Sequence, residues 1–261
     1  MENMIEIRLE RAEEGDAEEL ASISRRAYDS DTKVGGSGPG GPPGYDSPSS
    51  QRRFMGFMDY YKIILNNNIV GGIFSRGKKH RVLEGIFVDP PHHNKGIASR
   101  AMELLWEMYP DAQLWTLGTP EWNVRTRHFY EKLGFVQVGW EKGESNWRGI
   151  WYQKVMDSST PYEMMKVGQL KDGLKNVTVE GVILTISSPR KVRSRSTGKM
   201  LSITNAELGD DTGKIVLVLW NEQISQVEVD DRVRIEFGYV NSYSGVNQLN
   251  IGWTGRLITL I

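Results

Sequence analysis

Two groups of residues in this chain combine types and spacing suited to chemistry. The first is Val88–Asp89–Pro90–Pro91–His92–His93–Asn94–Lys95–Gly96–Ile97–Ala98. An apolar strand-like run, Val82–Val88, leads through this loop into a helical pattern that opens at about Gly96. A junction of that kind leaves backbone N–H groups unpaired at the helix start, with the helix dipole behind them, and so favours an anion such as a pyrophosphate. Gly96 lets a ligand come close to the backbone without meeting a Cβ, and Ala98 keeps the first turn slim. By spacing alone, a plain crossover with a glycine at its turn fits equally well. The adjacent His92 and His93 do not make a metal site, because neighbouring side chains point apart and no third ligand accompanies them. The chain has no cysteine, which excludes disulfides, zinc–thiolate sites and a cysteine-bound acyl intermediate.

The second group lies far downstream. Arg190, Lys191, Arg193, Arg195 and Lys199 fall within ten residues that contain no acid, and Trp220, Tyr239 and Tyr243 follow. Cations along a backbone path and rings on which bases can stack are what a single nucleic-acid strand requires. A solvated hairpin loop with ordinary core aromatics accounts for the same residues equally well.

Stepping outward, 261 residues suffice for two ordinary domains, and 39% apolar and 25% charged residues are typical of a globular protein. From Pro161 onward there are 12 Lys/Arg and 11 Asp/Glu, against 20 and 22 before it. Neither part is basic overall, so a nucleic-acid site has to be a local patch. No apolar run is long enough to span a bilayer, and the acidic start Met1–Glu13 does not read as a signal peptide. A cytoplasmic location with no membrane partner is the expectation.

The elements that must position these residues follow from periodicity. Ile5–Leu9 alternates as a strand, and Asp16 stands where it would cap a helix running to about Tyr28. Gly35–Gly44 is too rich in glycine and proline for a packed element; a mobile loop is expected, either an ordinary insertion or a lid over an acceptor. Strands are expected at Tyr61–Leu65 and Ile69–Ser75, joined by an Asn66–Asn67–Asn68 turn, and then at Val82–Val88. A helix from about Gly96 to Met108, a strand at Leu114–Leu117 and a helix at Asn123–Leu133 capped by Gly134 come next. Phe135–Trp140 and Trp151–Val155 close the unit as strands. Trp115, Trp122, Trp140, Trp147 and Trp151 either line an aromatic pocket or, for most of them, pack in the core. After the polar Asp157–Pro161 the pattern becomes all strand: Asn176–Ile186, Met200–Leu208, Lys214–Trp220, Arg232–Tyr239 and Asn247–Ile251. Five short strands with regular turn signals suggest a small closed barrel.

The loop at 88–98 resembles that of the GNAT acetyltransferase superfamily, V-x-P-x-x-[QR]-x-x-G-x-[GA]. Val88, Pro90, Gly96 and Ala98 match, while His93 stands where the family has Gln or Arg. Asn123–Phe135 resembles the family's N-x-x-[AS]-x-x-[FL]-Y-x-x-x-G-F, with Thr126 in place of the small residue. The resemblance covers residues 5–156. It implies an α/β (α+β) GNAT acyl-CoA N-acyltransferase fold, a mixed sheet whose two central parallel strands splay apart around acetyl-CoA. Cofactor contacts are then implied for Ile86, Phe87, Val88, His93, Asn94, Lys95, Gly96, Ile97, Ala98, Ser99, Asn123 and Tyr130. Backbone groups of Ile86 and Val88 would pair with the pantetheine arm, Asn94–Ser99 would hold the pyrophosphate, and Asn123 would bond the arm near the thioester. Tyr130 would be the catalytic acid at the sulfur. Glu84, on the same strand face as Ile86 and Val88, would be the base that deprotonates a primary-amine acceptor. The His93 replacement implies weaker cofactor binding.

Lys166–Lys171, Gly209–Gly213, Val218–Trp220, Gly238–Gly245 and Gln248–Asn250 resemble archaeal single-stranded DNA-binding proteins and replication protein A over residues 165–260. That resemblance implies an all-β OB-fold barrel in which Trp220, Tyr239 and Tyr243 stack bases beside Arg190, Lys191, Arg193, Arg195 and Lys199. Strict alternation would place Tyr239 on the core side with Ile235 and Phe237, so a bulge at Gly238 is required to turn it outward. The expected organisation is thus an N-acetyltransferase domain at 1–157, a linker at 158–164, and an OB domain at 165–261 that binds single-stranded DNA or RNA. Two rivals are a nucleic-acid-binding protein whose degenerate acetyltransferase half senses acyl-CoA, and an OB module that docks a protein substrate.

Overall fold

The computed structural model describes residues 6–142, 148–156, 162–194 and 197–261. Ile5, Trp147, Arg195 and the Asp157–Pro161 stretch that opens the expected linker lie outside the described residues. Two compact units divide the chain: Met1–Val136 with Tyr152–Tyr162, and Gln137–Trp151 with Glu163–Ile261.

In the first unit, β1 (Ile7–Arg11), β2 (Asp59–Leu65), β3 (Asn68–Gly77) and β4 (His80–Val88) form an antiparallel run in sequence order. The β2–β3 hairpin turns through Asn66 and Asn67, both in the left-handed region at φ 49° and 66°, where asparagine is the favoured non-glycine residue. β5 (Leu114–Pro120) lies parallel to β4. Four helices complete the unit: α1 (Ala17–Asp29), α2 (Pro48–Phe57), α3 (Ile97–Met108) and α4 (Val124–Lys132). α1 buries Ala17, Leu20, Ala21, Ser24 and Ala27 at helical spacing. Leu20, Ile23 and Ala27 pack with Tyr60, Phe74 and Phe87 of the sheet.

Asp16 starts α1 but does not cap it. Its carboxylate takes the Glu13 N–H at 2.8 Å and the Lys62 ammonium at 3.0 Å instead. α2 had no counterpart in the periodicity, although Ser47 accepts from Ser50 N–H and Pro48 occupies the first turn, the ordinary start of a helix. The Gly/Pro segment also differs from the expectation of a stretch without packing. Gly36 N–H donates to the Asp31 carbonyl at 3.0 Å and Tyr45 N–H to that of Pro42 at 3.0 Å. At Gly41 the backbone comes so close that a Cβ would stand 2.8 Å from Tyr45 Cγ and 2.9 Å from Tyr28 Cγ. Glycine there permits a contact rather than freedom.

The second unit contains a closed barrel. β8 (Lys175–Ile186), β10 (Met200–Asp210), β11 (Gly213–Trp220), β13 (Val246–Asn250) and β12 (Arg232–Tyr243) pair in that cyclic order, with β11 and β13 parallel. β9 (Arg190–Arg193) adds to β10, and β14 (Arg256–Leu260) to β12. Periodicity gives no strand at either place, and the first lies in the stretch that also fits a hairpin loop. The hairpin strands β6 (Val136–Lys142) and β7 (Arg148–Val155) precede the barrel in the chain. Val179, Ile183, Ala206, Leu208, Leu217, Leu219, Val233, Ile235, Val240 and Leu249 fill the barrel interior. No helix among the described residues is long and apolar enough to cross a membrane.

Candidate active site and nucleic-acid interface

The cleft in the first unit arises where two strands part. β4 and β5 pair only at His80↔Leu114, Arg81↔Trp115 and Val82↔Thr116. From Leu83 to Val88, β4 keeps its ladder with β3 and none with β5 among the described pairings. Asp89 N–H donates to the Val70 carbonyl on β3 at 2.8 Å. Alternation therefore turns the backbone groups of Phe87 toward β3 and those of Ile86 and Val88 into the gap. Phe87 buries its ring in the core, so neither its ring nor its backbone lines the cleft, unlike the expectation for a cofactor contact.

The loop that closes the cleft is pinned by Asp89, which accepts from Arg26 Nε and Nη2 at 3.0 and 2.5 Å. Asn94 (φ 59°) and Gly96 (φ 75°) are left-handed, and both are exposed, as is Lys95 between them. No heavy atom lies within 4 Å of where a Cβ on Gly96 would stand, so glycine is required by conformation and the space above it is open. α3 begins at Ile97 with a buried side chain, followed by half-buried Ala98 and Ser99. The first N–H groups of α3 have no intrahelical acceptor. Open space, left-handed backbone and free helix donors together fit a pyrophosphate.

His93 turns back from this loop. Its Nε2 lies 2.6 Å from the Val88 carbonyl, and its Nδ1 lies 3.4 Å from Arg125 Nη1. A carbonyl only accepts, so Nε2 carries the proton and Nδ1 faces a guanidinium donor. Burial holds this imidazole below the ordinary histidine value, and the Arg125 charge acts in the same direction. Such a group is protonated more readily in the unfolded chain. The stability it contributes is complete above about pH 6.5 and is lost as pH falls below that. Between about pH 7.5 and 5.5, the melting temperature of the wild type is therefore expected to fall further than that of His93→Gln. Parallel curves would refute the assignment.

Arg125 also pairs with Asp31, and the Asn123 amide donates to the other Asp31 oxygen at 2.8 Å. Burial pushes the Asp31 carboxyl up, against the pull of Arg125 and Asn123. Asn123 Oδ1 meanwhile caps α4 by accepting from Thr126 N–H at 3.2 Å. Thr126, the residue that departs from the family pattern, bonds Thr119 Oγ1 of β5 at 2.6 Å and so ties α4 to the parting strand. Tyr130 sits about two turns along α4 from Asn123 on the same side, 7% exposed, with Phe129, Phe135 and Tyr152 at centroid distances of 5.1, 5.9 and 6.4 Å. Burial raises its phenol far above the ordinary tyrosine value, with Tyr28 and Asp31 adding to the shift. The structure thus gathers Val88, His93, Asn123 and Tyr130 in one place, together with Tyr28, Asp31 and Arg125. Arg125 lay inside the quoted motif, whereas nothing in the sequence singled out Asp31.

Glu84 is the bulged residue of β4, since Phe74 pairs with Gly85 and Ser75 with Leu83. Its carboxylate accepts from Arg76 Nε at 2.6 Å. Of the tryptophans, Trp115 and Trp151 are core, Trp122 is exposed, and Trp140 carries the Arg148 guanidinium 4.5 Å from its ring. No cluster able to hold a metal occurs among the described residues.

On the barrel, a bulge places the expected rings outside. Ile235 pairs with Val179 but Gly238 with Val177, leaving one extra residue on β12, and Phe237 takes φ 55°. Val233 and Ile235 point inward before it and Val240 after it. Tyr239 is consequently outward and 40% exposed. Outward parity then continues through Asn241 and Tyr243 on β12. Ladder partners extend this face to Gln248 and Asn250 on β13 and to Val216 and Val218 on β11. Trp220 follows Val218 on the same face. It sits opposite Ile203, which in turn sits opposite Arg190. Arg190, Lys191, Arg193 and Lys199 are all exposed on the β9–β10 hairpin, with Lys191 Nζ 2.9 Å from Ser202 Oγ.

Comparison with known proteins agrees with both halves. Residues 40–135 match the model of the acetyltransferase (GNAT) family, and residues 177–252 match that of the OB-fold nucleic acid binding domain. The single-stranded DNA binding protein Ssb of Saccharolobus solfataricus is 31% identical over 87 residues, which is 33% of this chain and 57% of that protein. Replication factor A of Methanothermobacter thermautotrophicus is 33% identical over 85 residues, 33% of this chain and 10% of that protein. The chain thus spans just over half of the first relative and a tenth of the second. The crystal structure of the PaiA N-acetyltransferase from Thermoplasma acidophilum in complex with coenzyme A aligns at 13% identity and TM-score 0.48, over 58% of this chain and 100% of that one. Residues 40–135 carry a GNAT acetyltransferase domain, and residues 177–252 an OB-fold nucleic acid binding domain.

Proposed function

We propose that the chain is an acetyl-CoA-dependent N-acetyltransferase, acting on a primary amine by direct attack, whose OB domain binds single-stranded DNA or RNA in the cytoplasm. The observation that carries the enzymatic reading is the gap between β4 and β5. It stops pairing after three residues, receives the backbone groups of Ile86 and Val88, and ends at the donors of α3. An extended arm with amide groups can add to such an edge as a strand would. Amine attack on a thioester then needs a base for the ammonium, a donor for the oxyanion and a proton for the leaving sulfur. In this reading Glu84 takes the ammonium proton, its position fixed by Arg76. The Val88 N–H meets the oxyanion, and Tyr130 serves the sulfur. Asn94–Ser99 hold the pyrophosphate, while Asn123 keeps one amide hydrogen for the arm.

Saturating acetyl-CoA is expected to raise the melting temperature of the first unit, by mass action about 2.7 kcal/mol at a hundred times Kd. CoA thiol should be released when a panel of primary amines is added. No shift at millimolar acetyl-CoA would overturn the reading. One observation favours the sensor alternative: the Val88 carbonyl, a partner the arm would use, is already bonded to His93. A melting shift without thiol release for any amine would select that alternative.

A further inference from the structure

Beyond Trp220, Tyr239 and Tyr243, the barrel carries a further ring, exposed and outside every quoted motif. Trp253 is 75% exposed, more than Trp220, Tyr239 or Tyr243. It stands in the short connection between β13 and β14, and two backbone features define where. Gly255 packs against the Ile251 carbonyl so closely that a Cβ on it would lie 1.8 Å from that oxygen. The connection is therefore pinched at its base, and Gly252, Trp253 and Thr254 form a narrow tip. Gly252, at φ 70°, lies against Tyr239, and a Cβ there would stand 3.2 Å from Tyr239 Cε1. Trp253 follows Gly252 by one residue step of about 3.8 Å. Trp253 thus follows directly on the backbone that lies against the ring opening the outward face of β12.

We propose that Trp253 is a base-stacking residue that extends the single-strand path beyond Tyr239, on the side of the face away from Tyr243. The proposal rests on the nucleic-acid reading of the OB domain. Three features favour a strand of nucleic acid as the occupant. Tyr239, Tyr243 and Trp220 share one face, Arg190, Lys191, Arg193 and Lys199 flank its Trp220 end, and between the rings the Asn250 amide donates a 2.7 Å hydrogen bond to Asn241 Oδ1. An indole 75% exposed on a tip can take a base without displacing barrel packing, and stacking of this kind is indifferent to base identity.

The test uses the full chain and fluorescently labelled oligo-dT, with binding followed by polarisation so that removal of an indole does not alter the readout. Trp253→Ala is expected to weaken binding about 5- to 100-fold, and Trp253→Phe to retain most of the affinity because a ring remains. Trp220→Ala, measured alongside, reports on the nucleic-acid reading itself. If Trp220→Ala weakens binding and Trp253→Ala does not, the Trp253 assignment is wrong and the OB reading stands. If Trp253→Phe is as weak as Trp253→Ala, stacking is wrong. If the wild type binds neither oligo-dT nor oligo-U, both the reading and the assignment fall, and the protein-docking role takes their place. Losses shared by both oligonucleotides support Trp253 on either strand; the wild-type ratio between them separates DNA from RNA.

Discussion

Replacing Tyr130 by Phe is expected to lower kcat for acetyl transfer by about two to four orders of magnitude, with acetyl-CoA binding nearly unchanged. The ring is buried among Phe129, Phe135 and Tyr152, and Phe keeps that packing while removing only the hydroxyl. Burial raises the phenol well above its ordinary value, so it stays protonated throughout the working range and acts as a donor. A phenol held that high yields its proton reluctantly. Its contribution is a hydrogen bond that strengthens as charge builds on sulfur, with transfer completed as the thiolate leaves. Loss confined to kcat is the signature of an interaction made mainly in the transition state. Glu84→Gln gives the complementary result, a lower kcat through loss of the group that takes the ammonium proton. Full kcat in Tyr130→Phe would remove the acid assignment.

Much of this site was legible because motif residues do more than one job. Gly96 had to be glycine at φ 75°, and Gly134 had to close α4 at φ 83°; both requirements are local and appear as residue identity. The gap itself is not local. It depends on β4 and β5 separating after Thr116, which periodicity cannot express, and it was implied by resemblance. Asp31 escaped notice because its partners Asn123 and Arg125 are more than ninety residues away. Residue type alone gives His93 as a replacement that weakens cofactor binding; the structure adds that its ring reaches back to the Val88 carbonyl.

On the barrel, alternation alone misplaced Tyr239, and the conflict was informative. A tyrosine that had to be outward on a strand whose inward residues were Val233 and Ile235 required one extra residue. The structure supplies it between Ile235 and Gly238, with Phe237 rather than Gly238 taking the left-handed conformation. β9 and β14 were missed for a different reason. Four residues, three of them exposed cations, are too few to carry an alternation, and β14 is a short run whose partner lies on a distant strand. Trp253 stood outside every motif, so only its exposure and the pinch at Ile251 and Gly255 bring it into view.

Asn123→Ala should be the most damaging single change to the first unit. The side chain is 1% exposed and makes two bonds in opposite directions. Losing the cap on α4 costs about 1 kcal/mol. Taking a donor from the buried Asp31 oxygen costs about 1.5–3 kcal/mol more, because that bond is to a charged group. The expected loss of about 2.5–4 kcal/mol corresponds to a fall of about 5–15 °C in the melting temperature of a unit this size, with the barrel transition unmoved. Asn123→Ser separates the two parts: its hydroxyl can still cap Thr126 N–H but is too short to reach Asp31, so it should recover about 1 kcal/mol and no more. A loss below about 1 kcal/mol in Asn123→Ala would mean that the Asp31 bond contributes nothing. Asp31 is also what holds Arg125 beside His93, and His93 is what occupies the Val88 carbonyl. Loosening that chain at Asn123 frees a hydrogen-bonding group in the gap while weakening the frame around it. The same variant should therefore alter KM for acetyl-CoA as well as stability, a pairing that a residue acting only as a helix cap would not produce.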